Sequence, residues 1–177
     1  AAGYFGVAVL RTSDNTIVAE IEGDFVTSPA ICAESSGDFV YFIQPDDSVA
    51  VVSTSENTVV DMIAVGEQPH ALCALPSDEY VYVVNMDSDD VSVIRTTDNT
   101  VIDEIEVGSS PVDLCSLPSG EYIYVANQSD DNLSVIRTSD NEVLTTVDVG
   151  HYPLHICSLP DGEYIYVVCG DMYEISV

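Results

Sequence analysis

Short apolar runs of five to eight residues, rich in Val, Ile and Tyr, recur along the chain, and each stops at a cluster of Asp, Asn, Gly, Ser or Pro. In the stretch 91–132 the runs fall at 91–95, 100–107, 112–117 and 121–127. The breaks between them are Thr96-Thr97-Asp98-Asn99, Val107-Gly108-Ser109-Ser110-Pro111, Leu117-Pro118-Ser119-Gly120-Glu121 and the acidic stretch 128–132. Asp and Asn bond their own backbone in turns and, with Gly, tolerate positive φ. The spacing therefore predicts four short strands joined by turns. No window of 12 residues carries an apolar stripe at helical period, so helix content is expected near zero. In Tyr122-Ile123-Tyr124-Val125-Ala126 both alternating sets are apolar. A strand apolar on both faces belongs to a sheet covered on both sides.

The pattern repeats. Val9, Val51, Val93, Val135 and Val177 stand 42 residues apart, as do Arg11, Ser53, Arg95 and Arg137. Pro69, Pro111 and Pro153 keep the same step, each followed four residues on by Cys73, Cys115 or Cys157; the first copy has Pro29 and Cys32, slipped by one. The pairs Tyr80/Tyr82, Tyr122/Tyr124 and Tyr164/Tyr166 recur in register, with Phe39/Tyr41 in the first copy. The chain reads as one domain, 1–177, of four 42-residue repeats at about 7–48, 49–90, 91–132 and 133–174, with 175–177 starting a fifth. Such a period is the mark of a repeat architecture. Four antiparallel strands per repeat, covered on both sides, predict an all-β β-propeller of four-stranded blades.

The segments VSVIRT (91–96), DNTV (98–101), VGSSP (107–111), LPSG (117–120) and YVAN (124–127) resemble the YVTN-type β-propeller repeat of surface-layer and secreted proteins. The resemblance covers essentially all of 5–177. It implies a propeller and an extracellular or cell-surface setting, and says little about activity. Arginine stands where the family has aspartate, and cysteine where it has a small alanine. By analogy with propellers, the Pro-x-x-x-Cys run is the innermost strand of each blade and the Asn-Thr-Val-Val run the outermost. The chain then begins with two outer strands, near 5–10 and 16–22, and ends with two inner strands, 154–159 and 163–168, plus a further run at 173–177. The N-terminal hairpin would complete the last blade. Val7–Val9 and Ile175–Val177 hold the same repeat position, so one strand is surplus in a closed four-bladed ring. Three arrangements stay open: a segment of a longer propeller, an assembly in which the overhanging strands pair with another copy, and a closed four-bladed ring.

Charge narrows the partners. The chain has 31 acidic and 3 basic residues, all arginine, and a formal charge of −28. A basic track for phosphates is absent, which excludes nucleic acid; docking on anionic lipid is disfavoured too. No apolar run approaches the roughly 20 residues of a spanning helix, so no membrane insertion is expected. No signal peptide is visible, and the chain starts at Ala1 rather than Met, which leaves processing or truncation open. Acidity without lysine suits a salty exterior, where screening suppresses self-repulsion.

Candidate chemistry is sparse. Arg11, Arg95 and Arg137 are expected to pair with carboxylates of their own or the neighbouring blade; an anion clamp would need them to converge. Asp87, Asp89, Asp90, Asp130 and Asp131 lie on acidic loops that calcium would suit, although no EF-hand spacing is present. Asn127-Gln128-Ser129 and Asn132-Leu133-Ser134 are N-glycosylation sequons. The five cysteines form no CxxC pair, and free thiols are expected, with an oxidised pair as the alternative. If the hairpin closes between Leu159 and Tyr164, Cys157 faces Tyr166 and Cys169 faces Leu154. His70, His151 and His155 are read as structural. No catalytic residue and no cofactor are expected, apart from calcium. The functional expectation is a non-enzymatic extracellular scaffold assembling head to tail into rings or filaments as a homo-oligomer or homopolymer, with other surface proteins or glycans as further partners. The alternative is part of a larger propeller enzyme or ligand-binding propeller, lactonase-like or quinone-dependent.

Overall fold

The computed structural model describes residues 6–22 and 30–170. Sixteen strands and no helix are present among them. Three complete sheets follow one another: β3 (Ile31–Ala33), β4 (Phe39–Gln44), β5 (Ser48–Ser53) and β6 (Thr58–Ala64); β7 (Pro69–Ala74), β8 (Tyr80–Asn85), β9 (Asp90–Arg95) and β10 (Thr100–Glu106); β11 (Pro111–Ser116), β12 (Tyr122–Asn127), β13 (Asn132–Arg137) and β14 (Glu142–Asp148). Each is an antiparallel meander in chain order. Half-sheets flank them: β1 (Gly6–Arg11) with β2 (Thr16–Glu22), and β15 (Pro153–Ser158) with β16 (Ile165–Cys169). The strands begin and end within a residue or two of the runs read from the sequence.

The sheets stack as blades. The innermost strands β3, β7, β11 and β15 lie side by side, while the outer strands β6, β10 and β14 barely meet, so the blades fan out from an inner edge. Apolar side chains fill each gap. Tyr41, Val49 and Val51 meet Leu72, Val81 and Ile94. Tyr82, Val84 and Val93 meet Leu114, Ile123 and Ile136. Ile94, Ile123 and Ile136 are fully buried, and burying one such side chain contributes about 1.5–3 kcal/mol. A stack of such layers supports this length of chain without a disulfide, and all five thiols are unpaired.

Pro29 lies outside the described residues, but the 41-residue step from Cys32 and Tyr41 to Cys73 and Tyr82, one short of the repeat, has a local origin. Between β4 and β5 the turn is Pro45–Asp47 in extent, three residues, whereas four residues separate β8 from β9 and β12 from β13. A second irregularity recurs on the outer edge. Val18, Val60, Ile102 and Leu144 are skipped in the pairing of β2, β6, β10 and β14. Such bulges increase twist and blunt an open edge against further pairing. An inner bulge corrects one expectation. Cys157 pairs with Tyr166 as expected, but Leu154 is skipped, so Cys169 stands opposite Pro153 rather than Leu154.

The ends also differ from one expectation. Among the described residues β1 and β2 pair only with each other, as do β15 and β16. The N-terminal hairpin does not complete the last blade. It packs Ile21, Val7 and Val9 on Phe42, Ala50 and Val52 of the first full blade instead. The further run at 173–177, and with it the start of a fifth repeat, lies outside the described residues.

Candidate functional site

The polar residues singled out by the repeat have structural partners within the arc. Each arginine closes the outer hairpin of its own blade. Arg11 pairs with Asp14 at 3.2 Å, Arg95 grips Asp98 through Nε at 2.9 Å and Nη2 at 2.6 Å, and Arg137 holds Asp140 and, at 3.3 Å, Glu142. Hydrogen bonding from Arg95, backed by Thr100, lowers the Asp98 carboxyl to about 2. The arginines point to separate turns and do not converge on an anion.

The acidic loops act as latches between successive segments. Asp47, Asp89 and Asp131 all adopt left-handed backbone, each with φ of 56°. Their carboxylates accept from the backbone N–H of Gln68 (2.9 Å), Ser110 (2.7 Å) and Tyr152 (2.9 Å), each 21 residues on. Those three residues are themselves left-handed, with φ between 53° and 58°, a conformation uncommon outside Gly, Asn and Asp. A charged acceptor thus holds each strained linker where it enters the next inner strand. The bond from Tyr152 is the main reason the Asp131 carboxyl is lowered, with His151 Nδ1 at 2.6 Å second. Asp130 accepts from Ser109 N–H at 2.8 Å, and Asp90 from Asn85 Nδ2 at 2.6 Å. Asp87 lines a shallow cleft with Gln44, Asp47, Glu67 and Gln68. Among the described residues no three His, Cys, Asp or Glu side chains are grouped to hold a metal ion, and Asp89, Asp90, Asp130 and Asp131 spend acceptor oxygens on protein donors. The calcium expectation for these five aspartates finds no support in that geometry.

Asn127 corrects another expectation. Its side chain is fully buried and donates to Asn132 Oδ1 at 2.7 Å and Ser134 Oγ at 2.8 Å. A glycan has no room there in the folded chain. Asn132 is only partly buried and remains the accessible sequon. The amide of Asn127 lies against Gly108, and Asn85 likewise lies against Gly66. The glycine of V-G-x-x-P thus faces the asparagine of Y-V-x-N in these two repeats, and in the last one Gly150 lies against Cys169 instead. The histidines go to different places: His70 Nδ1 meets the Val112 carbonyl at 2.7 Å, His151 meets Asp131, and His155 lies 3.4 Å from Asp113. Burial pushes the Cys32 and Cys115 thiols up to about 12, and raises Cys73 as well.

The ends of the arc carry side chains that the interior hides. Tyr166 and Val168 on β16 are 60% and 57% exposed, whereas their repeat equivalents Tyr82 and Val84 are fully buried. Val147 on β14 is 45% exposed, against 6% for Ile105. At the other end Leu10 and Ile31 are 51% and 55% exposed; their equivalents Ile94 and Leu72 are buried. These five residues occupy core positions with no blade across from them. The local sequence holds no signal for this, since the exposed residues are the same types as their buried counterparts.

No family model and no curated protein matches the chain. Solved structures do. Hydrazine synthase from Kuenenia stuttgartiensis is 27% identical, with a TM-score of 0.79 over 84% of this chain and 44% of that one. A functionally unknown protein from Desulfotomaculum acetoxidans is 18% identical, with a TM-score of 0.77 over 87% and 52%. The Swd1 β-propeller domain from Myceliophteria thermophila is 9% identical, with a TM-score of 0.80 over 94% and 56%. The fold is a β-propeller. The chain spans about half the length of the structures it matches. Among the described residues the half-sheets β1–β2 and β15–β16 do not pair with each other, so no closed four-bladed ring is formed among them.

Proposed function

We propose that this propeller arc is a non-enzymatic structural unit, extracellular or at the cell surface, that assembles head to tail into rings or filaments. The observation that carries the reading is the pair of half-blades, with Tyr166, Val168 and Val147 uncovered at one end and Leu10 and Ile31 at the other. Exposed apolar faces next to open strand edges are templates for addition. Polar residues near the inner strands serve turns and latches, apart from His155 against Asp113 and His70 on the Val112 carbonyl, and among the described residues no three His, Cys, Asp or Glu side chains are grouped there. The surface setting is supported by acidity without lysine and by the accessible Asn132 sequon. Other surface proteins or glycans are the further partners such an assembly would meet. Light scattering at two protein concentrations tests the reading: particles well above 19 kDa are expected, and a monodisperse 19 kDa particle at both would refute it.

A second reading has one observation in its favour. The 27% likeness to hydrazine synthase, over less than half of that chain, suits an arc belonging to a larger propeller enzyme. Under that reading the chain alone stays monomeric and lacks activity of its own.

A further inference from the structure

We propose that two copies of this chain close head to tail into one eight-bladed ring, β16 of each copy pairing with β1 of the other. The proposal rests on the assembly reading above and names its partner and stoichiometry. The half-blade β15–β16 is an inner half; the half-blade β1–β2 is an outer half. Side by side they reproduce the strand order of β11-β12-β13-β14, with β1 of the second copy taking the repeat position that 175–177 also hold.

The repeat dictates the register. Tyr124 pairs with Val135, Val125 with Ser134 and Ala126 with Leu133 in the complete blade. Moved by 42 residues on one strand and 126 on the other, the pairs become Tyr166 with Val9, Val167 with Ala8 and Val168 with Val7 of the second copy. Each exposed apolar residue then gains the neighbours of its buried equivalent. Tyr166 and Val168 meet the face of the second copy that bears Ile31, as Tyr82 and Val84 meet the face bearing Leu114. Leu10 reaches the face of Val147, as Ile136 packs with Ile105. The two ends are thus the two sides of every internal junction, which is what a heterologous, closing contact requires. Strand count sets the number: sixteen described strands per copy make thirty-two in two copies, or eight four-stranded blades. Each copy brings a formal charge of −28, so salt should favour closure by screening.

The test is the mass of the wild-type chain in solution, with Tyr166→Asp and Leu10→Asp as variants, one damaging each face. Light scattering should give about twice the 19.0 kDa chain mass for wild type and the single-chain mass for each variant. An equimolar mixture of the variants should recover the doubled mass, because one junction is then intact; failure to recover it would overturn the head-to-tail contact. A wild-type mass of one chain at every concentration and salt would overturn this proposal and the assembly reading together. Masses that climb past two chains would overturn the ring of two alone. Should a charge variant fail to fold, the pair Ala8→Cys with Val167→Cys keeps the register testable. Oxidation should yield an intermolecular peptide joining positions 8 and 167, and its absence would refute the pairing.

Discussion

Gly108 and Asn127 make the sharpest test of how blades are joined to their linkers. A Cβ at position 108 would lie 2.6 Å from Cγ and 2.8 Å from Cβ of Asn127, well inside the ~3.5–4.0 Å of a normal carbon contact. Asn127 is fully buried and tied to Asn132 and Ser134, so it has nowhere to retreat. Gly108→Ala should therefore cost about 1–3 kcal/mol through overpacking. Asn127→Ala loses two hydrogen bonds at about 1 kcal/mol each. It also removes a buried Oδ1 that has no partner, so its net cost should be roughly 1–2 kcal/mol. The double variant is the informative one. Truncating Asn127 removes Cγ and Nδ2 and leaves only its Cβ, at 2.8 Å, against the added methyl, so Gly108→Ala should cost markedly less in that background. The coupling energy should reach about 1–3 kcal/mol, read from urea midpoints with unchanged slopes. Costs that add to within about 0.5 kcal/mol would refute the contact as the reason for the glycine.

Three further outcomes follow from the same geometry. Asp89→Ala should lower stability by about 1 kcal/mol by releasing the left-handed Ser110 linker, and Asp89→Asn should retain most of it, since the amide oxygen still accepts; equal urea midpoints for wild type and Asp89→Ala would contradict the latch. Arg95→Gln should leave the midpoint at pH 7 unchanged, because the pair is exposed, while the Asp98 titration followed by NMR moves from about 2 toward its ordinary 3.8; an unmoved titration would contradict the assigned cause. Alkali should destabilise the fold. Thiols at Cys32 and Cys115 ionise at about 12 when folded and near 9.0 when unfolded. The stability they contribute is complete below pH 9 and lost as pH rises toward 12, at up to about 1.4 kcal/mol per pH unit for each group. Tyr41 and Tyr82, also raised by burial, act in the same direction. A urea midpoint flat from pH 8 to 11 would contradict this.

Strands and blades were legible because they are local and repeated: alternation, turn residues and a 42-residue step survive without tertiary information. Other features were not, each for a physical reason. Gln68, Ser110 and Tyr152 carry no signature of left-handed backbone, because the aspartate that stabilises each lies 21 residues away. Leu154 looks like any strand residue, so the bulge that moves Cys169 opposite Pro153 could not be read from spacing. The sequon at Asn127 is three residues long and blind to burial, which comes from Gly108 and Ser134. The closure of the ring depends on the angle between blades, summed over the whole arc, and no single motif encodes it. That is why the same Tyr-x-Val pair is core in β8 and surface in β16.

Electron-microscope class averages of the 177-residue chain, at a concentration where its scattered mass has levelled off, test the central claim most directly. The account predicts closed rings of eight radial blades around one opening, each ring built from two chains. Isolated crescents of about four blades, or small closed rings of four, would contradict it.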